Sequence, residues 1–281
     1  MEAVTPNETK ENPYTSDPTK PADVSGWRMH SFGEYQNTNI QQINVNYAMA
    51  MVDKWFDIVE QPTLEESVAI VGYGPSLIPA LPELDKFKTI VTCSGSHKMV
   101  LDAGFIPTYH VEIDWKPHKY HFTKVTHPDC TYLMSAACCP ETIDNIKERK
   151  AELMFIEHGT QVTYPSNAPM IFHGYDVGQQ AIECMRIKGF RKFALFGFDY
   201  CFSLKGERHA GEHGGIKHHQ FLARIGDKIF KTSKTMFTAL LVMEFYIRTH
   251  PELEFEIYSD SLLFYFLDSA SKEPVYERPA A

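Results

Sequence analysis

Short apolar runs that stop on a glycine or an acidic residue constrain this chain more than any other feature. Ser67-Val68-Ala69-Ile70-Val71 stops at Gly72, and Thr89-Ile90-Val91-Thr92-Cys93 stops at Ser94-Gly95-Ser96. Tyr109-His110-Val111-Glu112-Ile113-Asp114 ends acidic, and Lys192-Phe193-Ala194-Leu195-Phe196-Gly197 leads to Asp199. Thr131–Ser135, Leu153–Ile156 and Glu254–Tyr258 have the same character. Runs this short and this apolar suit strands buried on both faces, as in a parallel sheet. Helical segments fall between them, at His97–Ala103, Glu141–Glu152, Asp176–Lys188 (closed by Gly189) and Phe237–Thr249.

This alternation predicts an α/β fold, with a mostly parallel Rossmann-like sheet and helices on both faces. An amphipathic helix precedes it at 40–60, where Ile43, Tyr47, Met51, Trp55 and Val59 recur at helical spacing and form the expected core face. Residues 1–36 are polar and lack a period, which reads as a flexible arm. The domain organisation expected is that arm, a single nucleotide-binding transferase domain over 37–268 with its core at 66–265, and a tail at 269–281.

The bulk numbers exclude several partners. With 27 Lys and Arg against 36 Asp and Glu, the formal charge is −9, so long duplex nucleic acid is not indicated. No run approaches the length needed to span a bilayer, and Met1–Pro21 lacks the apolar segment of a signal peptide. Six cysteines follow no metal-binding spacing and sit in apolar runs, which reads as buried reduced thiols and a cytoplasmic setting.

In a parallel sheet, ligands collect where the carboxyl ends of the strands meet. Those ends carry Gly72-Tyr73-Gly74-Pro75-Ser76, Ser94-Gly95, Asp114 and Asp199. Two glycines let backbone amides approach an anion, or they serve only a tight turn. A third glycine is missing and no Gly-Lys-Ser/Thr follows, so neither dinucleotide-binding nor Walker fingerprints apply. Asp114 is a candidate for a ribose hydroxyl or Mg²⁺, and Trp115 for stacking on a base; an Asp capping a turn is the plainer reading.

Glu207 to Gly215 is rich in histidine and glycine. His209 and His213 have the spacing of helical zinc ligands, but the glycines argue against a helix and no zinc is expected. The segment reads instead as an active-site loop in which either histidine is the candidate general base.

The order of these pieces resembles a known family. Gly-Tyr-Gly-Pro-Ser-Leu at 72–77, Gly104-Phe105-Ile106-Pro107 before Val111-Glu112-Ile113-Asp114, and Leu195-Phe196-Gly197-Phe198-Asp199-Tyr200 are similar to segments of the archaeal 6-hydroxymethylpterin diphosphokinases and the motility-associated flagellin glycosyltransferases. The first and last motifs also resemble bacterial sialyltransferases that use CMP-sialic acid. The resemblance implies a transferase with Gly72, Gly74, Pro75 and Ser76 along the nucleotide and Ser94, Asp114 and Asp199 facing the same cleft. The expected activity is glycosyl transfer from a nucleotide sugar to an unidentified acceptor. The alternative is a Mg²⁺-dependent diphosphokinase using ATP, with Asp114 and Asp199 holding the metal. A second alternative is a nucleotide-binding protein without turnover. Where the sialyltransferases carry a catalytic histidine, the matching stretch here is Lys231-Thr232-Ser233-Lys234, so that base is absent.

Overall fold

The computed structural model describes residues 21–25, 38–156, 162–172, 174–211 and 220–270. Eight strands form one parallel sheet: β2 (Leu64–Val71), β3 (Thr89–Cys93), β4 (Tyr109–Glu112), β5 (Thr131–Ser135), β6 (Lys150–Ile156), β7 (Met170–Ile171), β8 (Phe190–Phe196) and β11 (Glu254–Ile257). Their spatial order is β11-β8-β2-β3-β4-β5-β6-β7. The chain thus starts at β2, winds outward to β7, and returns to the other flank of β2 to lay down β8 and β11. The sheet's winding reverses between β2 and β8.

Alternate residues along the strands enter different cores, as a two-sided sheet requires. Val68, Ile70, Val91, Phe193 and Leu195 pack with α5 (Val177–Ile187), α6 (Lys234–Thr249) and α7 (Leu262–Ala270). Ala69, Val71, Ile90, Ala194 and Phe196 face the short α2 (Leu77–Ala80) and α3 (Ser96–Asp102). Tyr132, Met134, Leu153 and Phe155 pack with α1 (Thr38–Met51) and α4 (Pro140–Ile146). All six cysteines are buried and free. Among the described residues no helix is long and apolar enough to cross a membrane.

Several expectations need correction. The N-terminal helix stops at Met51, because Phe56 N–H and Lys54 C=O bond to Leu153 and draw the chain alongside β6. Its core face is also rotated: Gln41, Asn44, Val45 and Ala48 are buried, whereas Ile43 and Met51 are exposed. Asn44 explains the rotation, since its amide donates to the carbonyls of Ala137 (2.8 Å) and Trp115 (3.1 Å). The helix expected over Glu141–Glu152 ends at Ile146, since pairing of Lys150–Met154 with β5 overrides local helix preference. Within the expected flexible arm, Pro21–Asp23 forms β1 and pairs in parallel with β9 (Gln220–Ile225). β9 in turn pairs antiparallel with β10 (Lys228–Ser233), a hairpin not read from the sequence. At the other end, α7 runs to Ala270, so the expected tail at 269–281 overlaps its last turn, and 271–281 fall outside the described residues.

Candidate functional site

A cavity of about 390 Å³ opens at the carboxyl ends of β2, β3, β4 and β8, at the reversal of the winding. Of the residues expected there, Gly72, Tyr73, Gly74, Ser94, Asp114, Trp115, Asp199 and His209 line it. Pro75, Ser76 and Gly95 are not among its lining residues, and His213 lies outside the described residues.

The glycine turn is built differently from a phosphate cradle. The amides of Gly72 and Gly74 donate to the carbonyls of Phe196 (2.7 Å) and Gly197 (2.9 Å), and that of Leu77 donates to Gly74 (3.1 Å). The Ser76 amide donates to Asp199 Oδ2 at 2.8 Å, the Ser76 hydroxyl bonds to Asp199 Oδ1, and Pro75 has no amide proton. Glycine is needed here because β8 comes so close. A Cβ on Gly74 would lie 2.5 Å from Asp199 Oδ2 and 2.6 Å from Gly197 O. One on Gly72 would lie 2.8 Å from the same carbonyl oxygen.

What the turn offers the cavity is the Tyr73 side chain. Its ring lies over Gly95, stacks on His209 at 5.5 Å, and meets Phe122 edge-on at 6.0 Å. The Ala210 amide donates to Tyr73 O at 3.0 Å, which pins the segment carrying Arg208 and His209 over the turn.

Asp199 is almost fully buried. Burial pushes its carboxyl up from the ordinary range, and its two bonds from Ser76 oppose that shift. Both of its oxygens accept from Ser76, and Asp114 lines the same cavity. Among the described residues no three His, Cys, Asp or Glu side chains converge as metal ligands.

The sequence reading missed several lining residues. Glu112 is fully buried in the β4 end. Its Oε1 accepts the amides of Ile113 (2.9 Å) and Asp114 (3.0 Å), which pulls those residues out of the ladder and ends the strand before Asp114. Its Oε2 is buried and has no hydrogen-bond partner among the described residues. Burial, then the neighbouring Asp114, pushes Glu112 up to about 7. A charged residue inside an apolar strand was the available signal. Asp176, which caps α5, also lines the cavity; its Oδ1 accepts the Gln179 amide at 2.9 Å and its Oδ2 the Tyr200 hydroxyl at 3.0 Å.

One cation, Lys119, was missed, whereas Arg208 belongs to the histidine- and glycine-rich loop already read from the sequence. Lys119 and Arg208 both line the cavity, and burial lowers the pKa of each. Asp114 and Glu112 favour the charged form of Lys119, whereas Lys116 and Arg208 repel it. Thr235 and Met236, in the first turn of α6, add the positive end of a helix capped by the neutral Ser233.

Backbone strain marks the same place. Ser94 (φ 47°) and Tyr200 (φ 52°) are the non-glycine residues with positive φ among those described, and both line the cavity.

The fold is similar to that of the MAf glycosyltransferase from Magnetospirillum magneticum AMB-1. The TM-score is 0.56 at 14% identity, covering 83% of this chain and 41% of that one. A looser match is a mammalian sialyltransferase solved with Gal-β-1-3GalNAc-ortho-nitrophenol, with a TM-score of 0.40 at 13% identity, covering 79% of this chain and 80% of that one. No curated protein matches the sequence. The profile of the 6-hydroxymethylpterin diphosphokinase MptE-like family matches residues 37–205, more than half of the chain and both strands that flank the winding reversal. The chain belongs to the 6-hydroxymethylpterin diphosphokinase MptE-like family.

Proposed function

We propose that the chain is a transferase that binds a nucleotide-activated donor in this cavity and passes its activated group to a hydroxyl acceptor. The observation that carries this reading is the pair Lys119 and Arg208. Both are partly stripped of water, they repel each other, and they line one cavity. Such an arrangement is stabilised by an anion between or beside them. The α6 N-terminus favours the same charge, whereas the α5 N-terminus is already capped by the Asp176 carboxylate. The donor phosphate therefore belongs with Arg208, Lys119 and the first turn of α6. His209, beside Arg208, falls on this side. Trp115 and Tyr175 supply ring faces for the base.

Glycosyl transfer from a nucleotide sugar is our first assignment. A fold neighbour carries the name of a glycosyltransferase, which favours it. Diphosphoryl transfer from ATP to a pterin alcohol is the second, favoured by the family's description. There Mg²⁺ would arrive with the nucleotide, with Asp114 and Asp199 as the carboxylates at hand.

The test is binding. In thermal-shift and calorimetric titrations, CMP-sialic acid, UDP-N-acetylglucosamine and Mg·ATP are compared on the wild-type chain and on Arg208→Ala. One donor should raise the melting temperature by mass action. Arg208→Ala should weaken that donor about tenfold or more, as expected for a charge-assisted bond. If none of these donors or their parent nucleotides binds at millimolar concentration, the reading is wrong.

A further inference from the structure

We infer that Glu112 is the catalytic base of the transfer step, the group that accepts the proton of the acceptor hydroxyl. This rests on the transferase reading above and names the residue that completes its chemistry.

The argument begins with a carboxyl placed where a fold ordinarily tolerates none. Glu112 lies within an apolar strand, shows no surface to bulk water, and still forms part of the cavity wall. Its two oxygens are used unequally. Oε1 accepts two successive backbone amides, which fixes the carboxyl plane, whereas Oε2 has no partner among the described residues. A buried polar atom without a partner is destabilising by about 1–3 kcal/mol, and more if charged. At the wall of a cavity, such an atom is a place that a ligand can complete.

Of the other acids lining the cavity, two are engaged at both oxygens, and Asp114, engaged at one, is only partly buried where Glu112 is fully buried. Asp199 has both oxygens on Ser76, and Asp176 divides its oxygens between the α5 cap and Tyr200. Asp114 Oδ1 accepts the Lys116 amide at 3.1 Å. His209 stands beside the cationic Arg208 with its ring against Tyr73, on the donor's side of the site.

The step balances without a further reactant. The acceptor oxygen bonds to the transferred atom of the donor. The bond from that atom to the nucleotide phosphate oxygen breaks, and its electron pair leaves with the nucleotide. The acceptor's proton passes to Oε2 of Glu112, and from there to water after product release. Lys119 and Arg208 hold the charge that develops on the leaving phosphate.

The experiment uses the full chain. Donor hydrolysis, with water as acceptor, is followed for CMP-sialic acid and UDP-N-acetylglucosamine, and diphosphoryl transfer for Mg·ATP with 6-hydroxymethylpterin. Glu112→Gln keeps a carbonyl oxygen for the two amides but cannot take a proton. It should lower kcat by roughly 10²–10⁴ while leaving donor affinity unchanged. Glu112→Ala should lose turnover similarly and regain part of it on adding formate, a small carboxylate that fits the vacated space. Recovery by formate separates a proton acceptor from a structural brace. The assignment to Glu112 is overturned if turnover falls less than about tenfold, or if donor affinity falls as much as turnover and formate restores nothing. If the wild-type chain binds donors but turns over none of them, the transferase reading fails, and the role of Glu112 fails with it.

Discussion

Two neighbouring rims of the cavity are built on opposite plans. At the β2–β8 rim most amides of the glycine turn are satisfied inside the protein. Four amides from Gly72 to Leu77 donate to protein oxygens, and both oxygens of Asp199 are bonded. At the β3–β4 rim the strands carry polar groups that the protein itself leaves incomplete. Glu112 Oε2 and His110 Nε2 are buried without partners among the described residues, and Ser94 holds a left-handed backbone. The first rim is architecture and the second holds capacity for chemistry. The glycine motif that draws attention in the sequence fixes the cavity's shape, while an unremarked Glu inside a strand supplies its most distinctive group.

The largest effect that would break this contrast is Gly74→Val. If the turn were an open anion cradle, the substitution would remove ligand binding and leave the fold intact. The structure predicts otherwise, because the added Cβ would meet Asp199 and the Gly197 carbonyl at 2.5 and 2.6 Å. The chain would have to part β2 from β8 or break the Asp199–Ser76 brace. A loss of about 3–5 kcal/mol is expected, read as a fall in urea midpoint and melting temperature before any ligand is added. A Gly74→Val protein with wild-type stability would show the turn to be slack and return the anion-cradle reading.

This also explains what the sequence could convey. Seven strands and three helices were legible within a few residues because buried parallel strands are continuous apolar runs, and α5 ends at its glycine. The β1–β9–β10 sheet was not legible, because it is polar, short and assembled from segments about 200 residues apart. Cavity lining was partly legible from strand ends alone, which placed Tyr73, Ser94, Asp114 and Asp199 together. The use of each group was not. No local pattern reveals that the Gly72 amide faces β8, or that Asn44 turns the apolar stripe of α1 outward.

The second prediction sharpens the contrast through pH. Beneath the β3–β4 rim, Thr92 Oγ1 bonds Nδ1 of both His97 (2.8 Å) and His110 (3.1 Å), and Tyr132 contacts His97 Nε2 at 3.2 Å. The groups facing them are thus hydroxyls and each other, with His127 nearby and no carboxylate among these contacts. Burial, followed by repulsion from His127, lowers His97 to about 4, and burial, followed by repulsion from His97, lowers His110 well below the ordinary histidine range. Both are depressed below the unfolded value, so the unfolded chain binds more protons as pH falls. Their stabilisation is complete above the ordinary histidine range, near ~6.5, and is lost as pH drops toward 4. His97 alone should account for about 2 kcal/mol of lost stability between pH 7 and pH 5. Urea unfolding at both pH values checks this, and His97→Gln should flatten the dependence. An unchanged slope in that variant would place the proton uptake elsewhere.

The smallest expected effect isolates the strain at Ser94. Its φ of 47° is unfavourable for a residue with a Cβ by roughly 1–2 kcal/mol. Ser94→Ala keeps that strain, whereas Ser94→Gly removes it and the added freedom of the unfolded chain takes back about 0.4–1 kcal/mol. Ser94→Gly should therefore be the more stable of the two by about 1 kcal/mol. Both variants lack the hydroxyl, so the difference between them reads the backbone alone. If Ser94→Gly is the less stable of the two, the backbone there is not strained. The left-handed turn would then be ordinary local structure, and the β3–β4 rim would differ from its neighbour only in the Glu112 and His110 side chains.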